Sequence, residues 1–177
     1  MCRYAFSRYK PHYACFRCRK AYKRRLKADV HRDRPDRPAR CPQCGLLMAD
    51  MGLDFAPPPM RDREQWQTLE RLWSVGVTFH DCGCGGPGYR PRTREAYRRF
   101  LTQIHLEFDR TLGAWIDRPL PRGGRAGARE RAAARRTEAI GWWRERLSAV
   151  ELALVAEGLP VPPRRSRATD PGQLEPP

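Results

Sequence analysis

The second half of the chain carries apolar residues at the spacing of α-helices. From residue 93 to residue 117 they recur at steps of three and four, which places them on one helical face: Tyr97, Phe100, Leu101, Ile104, Phe108, Leu112 and Trp115. The same steps continue from residue 128 to residue 157, at Ile140, Trp143, Leu147, Val150 and Leu154. We therefore predict two long helices, joined by a Pro- and Gly-rich linker at 119–127, that form an antiparallel hairpin or pack on the N-terminal region.

The first half of the chain predicts shorter elements. Residues 10–27 alternate loosely between apolar and polar types, as in a β-hairpin, and a further strand runs through residues 46–51. Asp62 and Gln65 form a capping box that opens a helix. On this helix four apolar residues share one face: Trp66, Leu69, Leu72 and Trp73. The two tryptophans are interpreted as core packing, and base stacking is the alternative. Residues 75–79 predict a short strand, and the fold class is therefore α+β.

The composition limits the class of protein. The chain has 177 residues, of which 40% are hydrophobic and 31% are charged. No run approaches the about 18 consecutive apolar residues of a membrane-spanning helix. The first residues contain no apolar segment of the kind that a secretory signal needs. We therefore expect a cytoplasmic protein with no membrane partner.

Positive charge is concentrated in the first quarter of the chain. Residues 1–44 hold fourteen Lys/Arg against three Asp, a balance of +11, whereas residues 45–177 contribute the remaining +4 of a net charge of +15. Compositional drift would explain the choice of Arg over Lys, but not this clustering without matching acids. A field of this density favours a polyanion, and nucleic acid is the commonest large polyanion in a cell.

Four of the seven cysteines form two pairs with the spacing of zinc ligands, Cys15 with Cys18 and Cys41 with Cys44. An odd cysteine count without an export signal argues against a disulfide framework. Two C-x-x-C turns brought together form a closed tetrahedral site, which is the arrangement of structural zinc. Gly45 permits a left-handed conformation directly after the second turn. A thioredoxin-like redox pair is the alternative, but the chain lacks the βαβ pattern that it requires.

A third cluster consists of His80, Cys82 and Cys84. These residues are candidates for a second zinc site, with His12 or Cys2 as the fourth ligand. A tight structural turn and a redox pair are the alternatives.

The glycines at 83–88 allow several backbone N–H groups to face an anion, and Arg90 and Arg92 follow them directly. This arrangement favours a phosphate contact. A turn that merely requires glycine is the alternative.

These motifs in this order resemble a family of small bacterial zinc-ribbon proteins. The resemblance covers residues 4–92, about half of the chain, through Tyr9-Lys-Pro-His-Tyr-Ala-Cys-Phe-Arg-Cys-Arg-Lys20, Cys41-Pro-Gln-Cys-Gly45, Met48-Ala-Asp-Met-Gly-Leu-Asp-Phe55 and His80-Asp-Cys-Gly-Cys-Gly-Gly-Pro-Gly-Tyr-Arg-Pro91. It implies an accessory role on the large ribosomal subunit. Ribosomal zinc ribbons hold a basic hairpin against rRNA phosphates. In this sequence the hairpin would offer Arg17, Arg19, Lys20, Lys23, Arg24, Arg25 and Lys27, with Tyr13, Phe16 or Tyr22 available for stacking.

The chain is thus predicted to have four segments. A basic zinc ribbon covers 1–56, and a helix, short strand and Cys-Gly loop packed on it cover 57–92. A two-helix region covers 93–158, and a disordered Pro-rich tail covers 159–177.

The predicted function is that of a non-enzymatic, Zn²⁺-binding protein that contacts rRNA. Two alternatives stay open. A DNA-binding regulator is disfavoured because the chain has no Asn and no helix-turn-helix signature. A redox-responsive zinc protein would use the C-x-C and C-x-x-C pairs. No catalytic motif and no small-molecule site stands out, and self-association through the second long helix is a further hypothesis.

Overall fold

A computed structural model describes residues 10–24, 38–80, 88–121, 123 and 127–164. The chain divides into two compact units, Met1–Tyr97 and Arg98–Pro177. The described elements are β1 (His12–Cys15), β2 (Lys20–Lys23), β3 (Ala49–Gly52), α1 (Arg63–Ser74), α2 (Arg94–Ile116) and α3 (Ala128–Ala156). A small antiparallel sheet followed by helices is an α+β fold, so the predicted class is confirmed.

The sheet has the strand order β2-β1-β3, and both neighbours pair with β1 in antiparallel orientation. On one side Tyr13 lies opposite Tyr22, and Cys15 lies opposite Lys20. On the other side Ala14 lies opposite Ala49, and the register shifts between His12 and Tyr13. The predicted hairpin around the first cysteine pair is therefore confirmed, together with the strand that follows the second pair.

Helix α1 begins where its capping residues predict. The Asp62 carboxylate accepts a hydrogen bond from the backbone N–H of Gln65 at 3.0 Å, which satisfies one of the free N–H groups at the start of the helix. Trp66, Leu69 and Leu72 are buried on its inner face. Trp73, however, is 45% exposed, so the prediction that it belongs to the core is wrong. Leu72 before it and Val75 after it are buried, so Trp73 lies at the margin of the buried face of α1 and not within it.

Residues 75–79 do not form the predicted strand, although they run beside β3. The N–H of Phe79 donates to the carbonyl of Met51 at 2.8 Å, and its carbonyl accepts from the N–H of Asp54 at 3.2 Å. The crossing is close at Gly52, whose φ is +93°. A Cβ atom on Gly52 would lie 2.4 Å from the backbone nitrogen of His80, so this position requires glycine.

In the second unit, α2 and α3 form the predicted antiparallel hairpin. Phe108 packs on Trp143, with ring centroids 5.2 Å apart, whereas Ile116 near the end of α2 accepts a hydrogen bond from Arg136 near the start of α3. The buried apolar side chains that the two helices contribute within this unit are Phe100, Leu101, Ile104, Phe108, Leu112, Leu147, Val150 and Leu154. No helix among the described residues has the length and apolar character needed to cross a bilayer.

A buried polar cluster lies within this hairpin. His105 is fully buried, and its Nε2 lies 3.3 Å from a carboxylate oxygen of Glu151. Arg164, beyond the end of α3, donates two hydrogen bonds to the same carboxylate at 2.8 and 2.7 Å. The guanidinium compensates the partly buried charge of Glu151, and the imidazole lies within hydrogen-bond distance of it.

Candidate metal centre

The first C-x-x-C turn connects β1 to β2, and the second precedes β3. The cysteines of both turns lie close together. Cys15 ends β1, and Cys18 lies in the turn that leads into β2. Cys41 and Cys44 lie in a second turn, which is closed by the hydrogen bond from the N–H of Cys41 to the carbonyl of Leu46 at 2.7 Å. The antiparallel pairing of β1 with β3 brings this second turn beside the first.

The four sulfur atoms form a compact cluster. All of them lie within 4.8 Å of one another. The Cys15 and Cys44 sulfurs are 3.6 Å apart, and those of Cys18 and Cys41 are 3.9 Å apart. A disulfide needs about 2.05 Å between the sulfurs, whereas a tetrahedral zinc site with bonds of about 2.3 Å places them about 3.8 Å apart. The cluster therefore has the dimensions of a site that could hold a metal ion, with all four cysteines as ligands.

The protonation of these thiols is strongly uneven. Burial opposes ionisation of Cys41, but the N–H groups of Gln43 and Cys44 outweigh it, and the pKa of Cys41 falls to about 6. The thiol of Cys44 and then burial raise the pKa of Cys18 to about 12. Burial also raises the pKa of Cys15. The raised pKa values of Cys15 and Cys18 oppose their ionisation, and a divalent cation would supply the positive charge needed to ionise them.

The surroundings of the cluster are a mixture of buried and exposed groups. Cys15 and Cys41 are 1% and 2% exposed, while Cys18 and Cys44 are half-buried. Burial and then the charge of nearby Cys41 raise the pKa of the Tyr22 phenol on β2. Among the described residues, these four cysteines are the cluster whose ligand atoms lie close enough to share an ion.

The predicted second metal site is described only at His80. This imidazole is half-exposed and lies 3.3 Å from a carboxylate oxygen of Asp50. His12, the candidate fourth ligand, places its Nδ1 3.3 Å from the carbonyl of Gly52. Cys82, Cys84 and Cys2 lie outside the described residues, so the second site stays a prediction.

Seven of the nine predicted RNA-contacting residues lie in the described part of the chain. Arg17, Lys20 and Lys23 are exposed around the first cysteine turn, and Arg24 lies over the ring of Tyr13 at 5.6 Å. Arg92 is exposed as well. Arg25 and Lys27 lie outside the described residues.

Arg90 has a bonded guanidinium. Its Nε and one terminal nitrogen donate to the carbonyl of Thr78 at 3.1 and 2.9 Å, and the other terminal nitrogen donates to its own neighbour, the carbonyl of Tyr89, at 2.9 Å. These bonds tie residues 89–90 to residue 78. The phosphate contact predicted for Arg90 would have to compete with them.

Sequence reasoning missed a symmetry between the two cysteine turns. Gly45 has the predicted left-handed conformation, with φ at +74°, and Arg19, at the equivalent position after Cys18, has φ at +51°. A non-glycine residue is strained in this region. The Arg19 guanidinium also donates to the carbonyl of Met60 at 2.9 Å. The shared position after the second cysteine was the available sequence signal.

Comparison with known proteins found no relative of this chain. No family model matches the chain, and no curated protein and no solved structure matches it. The assignment of the site therefore depends on its own geometry.

Proposed function

We propose that this protein is a cytoplasmic, non-enzymatic zinc protein whose N-terminal unit binds RNA, with rRNA as its partner. The observation that carries the proposal is the four-cysteine cluster, whose sulfur spacing fits one tetrahedral ion. Among the metals that thiolates bind, zinc is the one that structural sites of four cysteines hold without redox chemistry.

The charges around the cluster support RNA as the partner. Residues 10–24 contain six Lys/Arg and no acid. Several acids elsewhere in the first unit have local partners: Asp50 accepts from the N–H of Gly52, Asp62 caps α1, and Glu64 accepts from the N–H of Arg94. Positive charge therefore exceeds negative charge around the first cysteine turn, which favours a polyanion as partner.

Zinc is tested by elemental analysis of the purified protein. We expect one zinc ion per chain, and we expect Cys41→Ser to reduce the bound metal strongly. Ser148→Ala, which changes an exposed residue of α3 that belongs to no proposed ligand set, serves as the control. Full metal content in Cys41→Ser would contradict the assignment.

RNA binding is tested by fluorescence anisotropy with a labelled single-stranded RNA across a salt series. Replacing both Arg17 and Lys20 by Ala is expected to reduce the slope of log affinity against log salt by about 1.4, since each phosphate contact to a single strand contributes about 0.7. A matched control replaces Arg129 and Arg144, two exposed arginines of α3. Equal effects of the two double variants would show that net charge alone matters and would contradict the proposed surface.

The ribosomal part of the proposal is tested by sucrose-gradient sedimentation of a lysate. Comigration with the large subunit in low and high salt is the expected result. Sedimentation as a free protein in both gradients would contradict it. Tighter binding of duplex DNA than of RNA would favour a DNA-binding regulator instead.

A further inference from the structure

A run of four aromatic rings leads from the core of the first unit to its surface. Phe55 and Trp66 are each 2% exposed, and their ring centroids lie 6.5 Å apart. Trp66 contacts Phe16 at 6.4 Å in an edge-to-face arrangement. Phe16 contacts Trp73 at 6.1 Å. The last ring of the run, Trp73, is 45% exposed, so an indole face is held at the surface by a chain of packed rings.

Phe16, which supports this surface ring, lies within one of the two cysteine turns. Phe16 lies in the turn between Cys15 and Cys18, two of the four residues of the sulfur cluster. An ion bound by both cysteines would hold the backbone of Phe16 on either side. A ring that is already fixed loses little conformational entropy when a ligand stacks on it.

Positive side chains line a cleft beside two of these four rings, Phe16 and Trp66. A surface cleft of about 320 Å³ adjoins Phe16 and is lined by Phe16, Arg17, Arg19, Arg63, Trp66, Gln67 and Glu70. Three of these seven residues are arginines and one is an acid, so the cleft has a net positive charge. Gln67 and Glu70 carry hydrogen-bonding groups of the kind that read base edges.

Arg19, a basic residue that lines this cleft, has a backbone conformation that favours glycine. Its φ of +51° lies where glycine is strongly favoured, and the equivalent position of the other cysteine turn is Gly45. Its guanidinium is held by the carbonyl of Met60 at 2.9 Å. Strain of this kind persists where the surrounding structure imposes it, and here it fixes a guanidinium at the edge of the cleft.

We propose that Trp73, supported by Phe16, is a stacking platform for an unpaired base of single-stranded RNA, while Arg17 and Arg63 contact the adjacent phosphates. Exposed aromatic rings beside basic side chains are the usual means of binding single strands, because every base offers a π face. This inference rests on the proposed function, and it names the base-contacting residue and the form of the RNA. It favours single strands, since the bases of a duplex already stack on one another.

The test compares full-length, metal-loaded variants by fluorescence anisotropy with one labelled single-stranded RNA and with its duplex. Trp73→Leu keeps an apolar contact with Phe16 but removes the aromatic face, whereas Trp73→Phe keeps a face. We expect Trp73→Leu to bind the single strand about tenfold more weakly, with little change for the duplex and an unchanged salt slope. We expect Trp73→Phe to stay within about threefold of the unmodified protein, because a smaller ring still stacks.

Trp142 provides a matched control, because it is also 45% exposed and lies in the other unit. Trp142→Leu is expected to bind both RNAs as the unmodified protein does. Equal single-strand affinities for Trp73→Leu and Trp142→Leu would overturn the platform and leave the proposed function intact. Failure of the unmodified protein to bind either RNA would overturn the proposed function itself. Metal content, measured on every variant, verifies that the sulfur cluster is preserved.

Discussion

The two units of this protein differ in what stabilises each of them internally. The first unit has a sheet of three four-residue strands, and two of its buried residues are cysteines of the cluster that could hold a metal ion. The second unit has helices of 23 and 29 residues, whose apolar side chains pack against each other. A small core is commonly stabilised by a metal, whereas long paired helices bury enough apolar surface without one. We therefore expect metal loss to destabilise the first unit, and truncation of a buried side chain in the helical hairpin to destabilise the second.

The largest expected effect follows from removing the metal ligands. Cys41→Ser, or a strong chelator, removes a binding free energy that is about 10 kcal/mol for structural zinc. We expect β1, β2 and β3 to exchange their amide hydrogens rapidly while α3 stays protected. Hydrogen exchange followed by mass spectrometry resolves the two units. Loss of protection in both units at the same chelator concentration would contradict their independence.

The second prediction concerns the stability of the second unit. Leu147 is fully buried in the helical hairpin, and Leu147→Ala is expected to reduce the free energy of unfolding of that unit by about 3 to 4 kcal/mol. The loss should be the same with and without chelator, as measured by urea denaturation followed by circular dichroism. Leu152 on the same helix is 72% exposed, so Leu152→Ala should change stability by less than about 0.5 kcal/mol. A chelator-dependent effect of Leu147→Ala would show that the units are coupled.

The third prediction sharpens the role of backbone geometry in the first unit. Gly52 and Gly45 both have positive φ values, but a Cβ atom would meet backbone at 2.4 Å only at the former, and at the latter nothing lies within 4 Å. We expect Gly45→Ala to cost about 1 kcal/mol from backbone strain alone, and Gly52→Ala to cost about 2 to 3 kcal/mol because residues 79–80 must move. Thermal unfolding of the metal-loaded variants measures both. Equal costs would mean that the close crossing is relieved cheaply.

The smallest expected effect concerns Glu151 in the second unit. The guanidinium of Arg164 lowers the pKa of this carboxyl group against the opposing effect of burial, and His105 lowers it further. A lowered pKa stabilises the fold above the ordinary value of about 4.3, and the contribution is lost as the pH falls through the lowered pKa. Glu151→Gln should therefore be less stable than the unmodified unit by about 1 kcal/mol at pH 7, since the half-exposed Arg164 is partly screened.

The pH dependence identifies the origin of that loss. The stability difference between Glu151→Gln and the unmodified protein should disappear in acid, as measured by urea denaturation at several pH values. Glu145→Gln, at an exposed position of the same helix, is the control and should show little difference at any pH. A difference for Glu151→Gln that persists unchanged in acid would point to packing rather than charge.

Much of the local structure could be predicted from the sequence. The capping pair Asp62 and Gln65 predicted the start of α1, and helical periodicity predicted α2 and α3 to within two residues at each end. The repeated C-x-x-C spacing predicted which four cysteines meet. These features depend on neighbours within a few positions of the chain, and such interactions leave a readable spacing.

Other features were decided by tertiary structure alone. The close crossing at Gly52 involves residues 79–80, and the exposure of Trp73 depends on which part of the surface of α1 other elements cover. The left-handed Arg19 and the paired His105 and Glu151 likewise depend on contacts between distant positions. Period and spacing record which residues share a face of one element, but they do not record what another element places against that face.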